Sequence, residues 1–214
     1  MANINGAFGL RPMSKLGQGS NSTGTTGYTS YEIANGNSTA IYQGSPVIPL
    51  STGYISLVGA AAGGTVSLVG AFMGCKYVSS TTGKTVWSNY WPGSGADSNH
   101  PVEAFVADDP MQLFIVATDA SWTSKATARA AVVANANFSG GTSGSTTTGM
   151  SSAALAISTI ATTAALQLRV MGWVDDPSNT DFSAAGVGAI VRLNNSFNSP
   201  EGSIAAGTPS TTGV

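Results

Sequence analysis

From Tyr28 onward, short apolar runs alternate with clusters of turn-forming residues, and that pattern predicts strands. Tyr28, Tyr31 and Ile33 open the series. Runs at 39–42, 47–50, 54–58 and 65–69 follow, each bounded by Gly, Pro or Ser-Thr clusters. Residues 71–78 and 85–90 predict a hairpin about Thr81-Thr82-Gly83-Lys84, where Gly83 can adopt the positive φ that a tight loop often needs. Residues 102–107 and 111–118 predict a second pair of strands across Asp108-Asp109-Pro110. Pro110 has no amide donor and pushes Asp109 toward extended geometry, which suits a turn. Strands resume at 154–158, 165–174 and 187–197. Within them Leu166, Leu168 and Val170 alternate with Gln167 and Arg169, the signature of a half-buried strand.

One stretch departs from this rhythm. Ala126, Ala128, Ala130, Ala131 and Ala134 favour helix, with Asp119 or Ser121 as N-cap, so 122–136 predicts one short helix that Val132 and Val133 weaken. Residues 140–146 form a Gly/Ser/Thr loop of low complexity. Residues 1–26 are rich in Gly, Ser and Asn with few apolar anchors, and read as an extended N-terminal arm unable to bury enough surface alone. Residues 27–198 form the β-rich domain, and 199–214 a loose C-terminal tail. Many short strands with frequent glycine turns predict an all-β fold, a β-sandwich or jelly-roll-like domain with one short helix.

Composition narrows the function. Only 8% of the 214 residues are charged, against roughly 25% in an average globular protein. Hydration is carried by Ser, Thr, Asn and Gly. The chain has one Cys, one His, eight Lys plus Arg and ten Asp plus Glu, for a net charge of −2. A chain so poor in ionisable groups is expected to be structural or to bind rather than to catalyse. No basic patch marks nucleic-acid binding. No secretory leader and no apolar run of membrane-spanning length is evident. A single Cys closes no internal disulfide.

Candidate chemistry is thin. Gly83-Lys84-Thr85 ends like a phosphate-binding loop, but position 78 is Val78 where that pattern needs Gly, and Val86, Trp87, Tyr90 and Trp91 predict strand rather than the required helix. His100 could join a Ser–His–Asp site only by geometry, and no nucleophile elbow accompanies it. Cys75 sits in a predicted strand, where Cys behaves as a small hydrophobe. Asp108-Asp109 and Asp175-Asp176 lack the alternating spacing of a calcium loop, and turn chemistry before Pro explains both. No metal or cofactor is expected. The cluster Trp87, Tyr90, Trp91-Pro92 fits either buried packing, including a subunit interface, or a sugar-binding platform.

At these residues a resemblance enters. The opening Met1-Ala2-Asn3-Ile4-Asn5-Gly6-Ala7-Phe8-Gly9-Leu10-Arg11-Pro12 resembles the start of head-decoration, or cement, proteins of tailed bacteriophages. Phe72-Met73-Gly74-Cys75-Lys76-Tyr77, the strand pair up to Tyr90-Trp91-Pro92, Asp108-Asp109-Pro110 and Leu168-Arg169-Val170-Met171-Gly172 are similar too, in the same order, to about Phe197. The resemblance implies a β-rich structural virion protein on the outer surface of an icosahedral capsid. It would bridge neighbouring major capsid subunits and stabilise the shell against the pressure of packaged DNA, with no catalytic residues. It implies a homo-oligomer, a trimer in preference to a dimer, with the major capsid protein as partner and neither nucleic acid nor membrane. The arm, with Phe8, Leu10, Arg11 and Pro12, is then expected to bind the capsid, and Trp87, Tyr90 and Trp91 to pack the oligomer. The alternative is a carbohydrate-binding adhesin or tail-fibre module, equally β-rich and polar.

Overall fold

The computed structural model describes residue 3 and residues 6–16, 27–58 and 66–199. The predicted run at 65–69, most of the arm and nearly all of the tail therefore lie partly or wholly outside the described residues. The elements are β1 (Arg11–Lys15), β2 (Thr29–Ile33), β3 (Pro46–Pro49), β4 (Ile55–Leu57), β5 (Gly70–Val78), β6 (Thr85–Ser88), β7 (Val102–Ala107), β8 (Gln112–Ala117), α1 (Lys125–Ala130), β9 (Asn135–Ala136), β10 (Phe138–Ser139), β11 (Ala154–Leu155), β12 (Leu168–Trp173) and β13 (Gly188–Leu193). The protein is all-β, with one short helix and several sheets.

Alternation builds the two main sheets. In β7, Val102, Ala104 and Val106 point inward; in β8, Gln112, Phe114 and Val116 do. One sheet runs β1-β8-β13-β12-β9, and the other β2-β7-β5-β3-β4 with β6 added beside β5; every pairing within them is antiparallel. β10 and β11 make a separate small ladder. The second sheet curls until its outer strands β2 and β4 approach, although no ladder joins them.

Three apolar clusters follow. Leu10, Ala71, Ala107, Phe114, Val170 and Val191 pack between the sheets. Ile33, Val47, Phe72, Cys75, Trp91 and Val102 fill the curl of the second sheet. Trp122, Ala128, Phe182 and Val187 form a satellite beneath α1, with Trp173 edge-on to both Trp122 and Phe182.

The β5–β6 hairpin forms as predicted, with Gly83 at φ 66° in its turn. Three predicted elements are corrected. β7 and β8 do not pair; they lie in different sheets, and Asp108-Asp109-Pro110 carries the chain from one to the other. That connection is tied on both sides: Thr29 Oγ1 and Tyr31 OH on β2 donate to Asp108 at 2.8 Å each, while Lys15 on β1 pairs with Asp109. The helix is six residues long rather than spanning 122–136, and its N-cap is Ser124, whose Oγ accepts the Thr127 N–H at 3.2 Å. Val133 ends the helical region at φ 68°, a conformation a β-branched side chain resists. Residues 39–42 make only a bridge, between Ile41 and Trp91.

Candidate functional site

The arm is joined to the body from its first described residue. The Asn3 amide donates to the Asp181 carbonyl at 2.6 Å and its Oδ1 accepts the Asp181 N–H at 3.3 Å. Gly9 and Gly44 then meet back to back, both at positive φ; a Cβ on Gly9 would lie 2.6 Å from the Gly44 carbonyl oxygen. Only two glycines allow this approach. It brings the Leu10 N–H to the Gly44 carbonyl at 2.8 Å and drives the Leu10 side chain into the core between the sheets. Residues 11–15 continue as β1, an edge strand on β8, with Pro12 opposite Phe114. Leu10 is therefore an internal anchor, not a free capsid-binding residue, because its apolar surface is already buried in its own chain. Pro12 is half-buried. Phe8 is half-buried as well, and Arg11 is exposed, with its guanidinium 4.9 Å from the Phe8 ring centroid.

The three rings of the aromatic cluster separate. Trp91 is fully buried: its indole N–H donates to the Asn37 carbonyl at 3.1 Å and its ring meets Tyr77 edge-on at 5.4 Å. It cannot pack a second subunit, since its surface is spent in the core. Tyr90 stacks on Tyr42 of its own chain at 5.7 Å. Trp87 alone stands out, 68% exposed and parallel to Phe105 at 5.6 Å.

The remaining candidates resolve individually. Gly83-Lys84-Thr85 is a hairpin turn leading into β6, so no helix N-terminus faces a phosphate there. His100 Nδ1 lies 3.0 Å from Asp97 Oδ2 on an exposed turn. The Asn99 backbone N–H and then His100 hold the Asp97 carboxyl below its usual range. Among the described residues no serine hydroxyl bonds His100. Burial pushes the Cys75 thiol up to about 12, which keeps it protonated and unreactive at neutral pH. The two acidic pairs do not converge. Asp108 and Asp109 serve the sheet crossover, while Asp176 caps its own turn by accepting from Ser178 N–H and Oγ. Among the described residues no group of three or more His, Cys, Asp or Glu gathers as a metal site. A cleft of about 490 Å³ opens beside α1, lined among others by Lys125, Arg129, Trp173, Asp175, Asp176 and Phe182.

A feature not legible in the sequence surrounds the sheet crossover. Met13, Leu16, Tyr28, Met111 and Phe197 are all large, apolar and exposed. Their segments meet there: the Leu16 N–H donates to the Met111 carbonyl at 2.8 Å, Thr29 and Asn198, beside Tyr28 and Phe197, both bond Asp108, and Met13 lies on β1 between Pro12 and Lys15, which pair with Phe114 and Gln112. Their spacing in sequence hides the grouping; only the strand pairing brings them to one end of the molecule.

Comparison of the chain with protein-family models, with curated proteins and with solved structures finds no match.

Proposed function

We propose that the chain is a structural assembly protein and, more narrowly, a decoration or cement protein on the outside of a bacteriophage head, acting without catalysis or a cofactor. The supporting observation is that five of the exposed large apolar residues, Met13, Leu16, Tyr28, Met111 and Phe197, lie on segments that meet at the sheet crossover of a chain poor in charge. Grouped exposed hydrophobics mark protein–protein contacts, and uncharged polar surface enters an interface without stranding ions. In this reading the two sheets act as a sandwich-like body and the apolar end joins copies into a trimer. Arg11, the first residue of the edge strand β1, and Phe8 just before it meet the major capsid protein. Attachment through several subunits raises the effective concentration of each remaining contact.

The deciding experiment counts copies in purified particles. Hundreds per particle support the shell assignment; a handful places the chain on a tail or fibre and overturns it. The double variant Phe8→Ala with Arg11→Glu should lower shell occupancy while leaving the fold intact. Removing residues 2–16 is a poorer test, because it also takes Leu10 from the core and β1 from its sheet.

A further inference from the structure

The outer face of the curled sheet carries a cross-strand row unlike the rest of the surface. Register places Trp87 on β6 opposite Lys76 on β5, Lys76 opposite Glu103 on β7, and Glu103 opposite Glu32 on β2. Three strand spacings separate its ends, about 14 Å, longer than one sugar ring. Gly74, the residue of β5 opposite Phe105, carries no side chain, so the Trp87 and Phe105 rings meet across that strand, parallel within 6°. The Lys76 ammonium lies 5.4 Å from the Trp87 ring centroid and pairs with Glu103, whose other oxygen accepts the Ser30 hydroxyl at 2.6 Å. Trp87 is thus 68% exposed while braced by Phe105 and Lys76.

We propose that this row is a shallow platform for a neutral carbohydrate chain, a site separate from any capsid contact. The exposed part of the indole offers flat apolar ring surface for the axial C–H bonds of a pyranose whose hydroxyls are equatorial. Lys76, Glu103 and Ser30, already oriented by one another, supply charge-assisted partners for the hydroxyls at the rim. A second copy of this chain is the poorer occupant. Three of the four residues in the row are Lys or Glu, types in which the centres of protein interfaces are depleted. Burial would also desolvate Glu32, which has no ion-pair partner among the described residues. Sugar hydroxyls can bond these charges while water remains. The row sums to −1, so an anionic polysaccharide is disfavoured.

The test uses the full chain with cellohexaose, maltohexaose and dextran as neutral probes and polygalacturonate as the anionic one. Indole N–H resonances are followed during titration. The expected result is movement of the Trp87 indole signal with at least one neutral probe and no stronger response to polygalacturonate. Trp87→Ala should weaken that binding about tenfold, the loss of one aromatic contact. Trp87→Phe, keeping a ring, should retain most of it, and Glu103→Gln should weaken it several-fold. Thermal melts establish that each variant is folded. Failure of every neutral probe to move Trp87, equal binding by wild type and Trp87→Ala, tighter binding of polygalacturonate, or a smaller oligomer on Trp87→Ala would each overturn the proposal. Copy number in particles is untouched by any of these results, so the two proposals fail separately.

Discussion

Trp87, Tyr90 and Trp91 lie within five positions of one another and meet three environments, so their substitutions should differ in kind. Trp91→Ala empties the middle of the curled sheet and strands the Asn37 carbonyl; the expected loss is about 3–5 kcal/mol, read from chemical denaturation. Trp87→Ala removes a ring that is mostly in water and should cost about 1 kcal/mol or less in the same measurement. Cys75 gives a pH prediction. Its folded pKa, about 12, lies above the ordinary 9.0, so the folded state holds this proton more tightly than the unfolded chain does. That contribution is complete below pH 9 and is lost as pH rises from 9 toward 12. Burial raises Tyr31 and Tyr77 as well, which adds to alkaline loss from pH 10 upward. Cys75→Ala should flatten the decline that starts near pH 9 in a series of melts. In the native protein the thiol should resist a thiol-specific dye at neutral pH and react once the chain is denatured.

At the scale of elements, α1 ends under strain that a single change can relieve. Val133 is 72% exposed and sits at φ 68°, so its side chain contributes little packing while its backbone occupies a conformation costly for a branched residue. Val133→Gly should stabilise the protein by about 1 kcal/mol, seen as a higher melting temperature. The Gly9–Gly44 contact works in the opposite sense. Gly44→Ala places a methyl 2.9 Å from the Phe8 carbonyl oxygen at positive φ, and should cost about 2–3 kcal/mol. This contact seats Leu10 and leads into β1, so hydrogen exchange in β1 should accelerate more than in β7. Uniform acceleration across both strands would count against this coupling.

For the molecule as a whole, the shortage of charge sets the response to solvent. Three ion pairs occur among the described residues, and one of them requires a protonated His100. Raising salt from about 0.05 to about 1 M should therefore move the melting temperature little, because few exposed pairs exist to be screened. Acid should act on two of them. Hydrogen bonding to Lys76 and to Lys15 holds the Glu103 and Asp109 carboxyls below their ordinary 4.5 and 3.8. Their stabilisation is present above those values and is lost as pH falls below them. Met111→Asp puts a charge in the apolar group at the sheet crossover and, for the trimer proposed above, should shift sedimentation toward monomer. An unchanged oligomer would remove that end from the interface.

Much of the strand content was legible because alternation is local: the two-residue period of β7, β8, β12 and β13 reports which side of each strand is apolar without reference to any other strand. Gly83 and the β5–β6 hairpin were legible for the same reason, since a short turn joins segments that must lie together. The β7–β8 connection looked alike in sequence yet crosses between sheets. That choice belongs to Asp108 and Asp109, which find partners on β2 and β1 far away in the chain. Alanine content speaks for a longer helix than the six residues that form, because the pairing of β9 with β12 claims residues 135–136. By itself, then, the sequence determined the all-β class, the positions of most turns and the scarcity of reactive groups. Tertiary structure alone decided that Leu10 and Trp91 are core, that Trp87 is exposed, and that Met13, Tyr28, Met111 and Phe197 share one end. Burial depends on which distant strand lies opposite, and a local pattern carries no record of that partner.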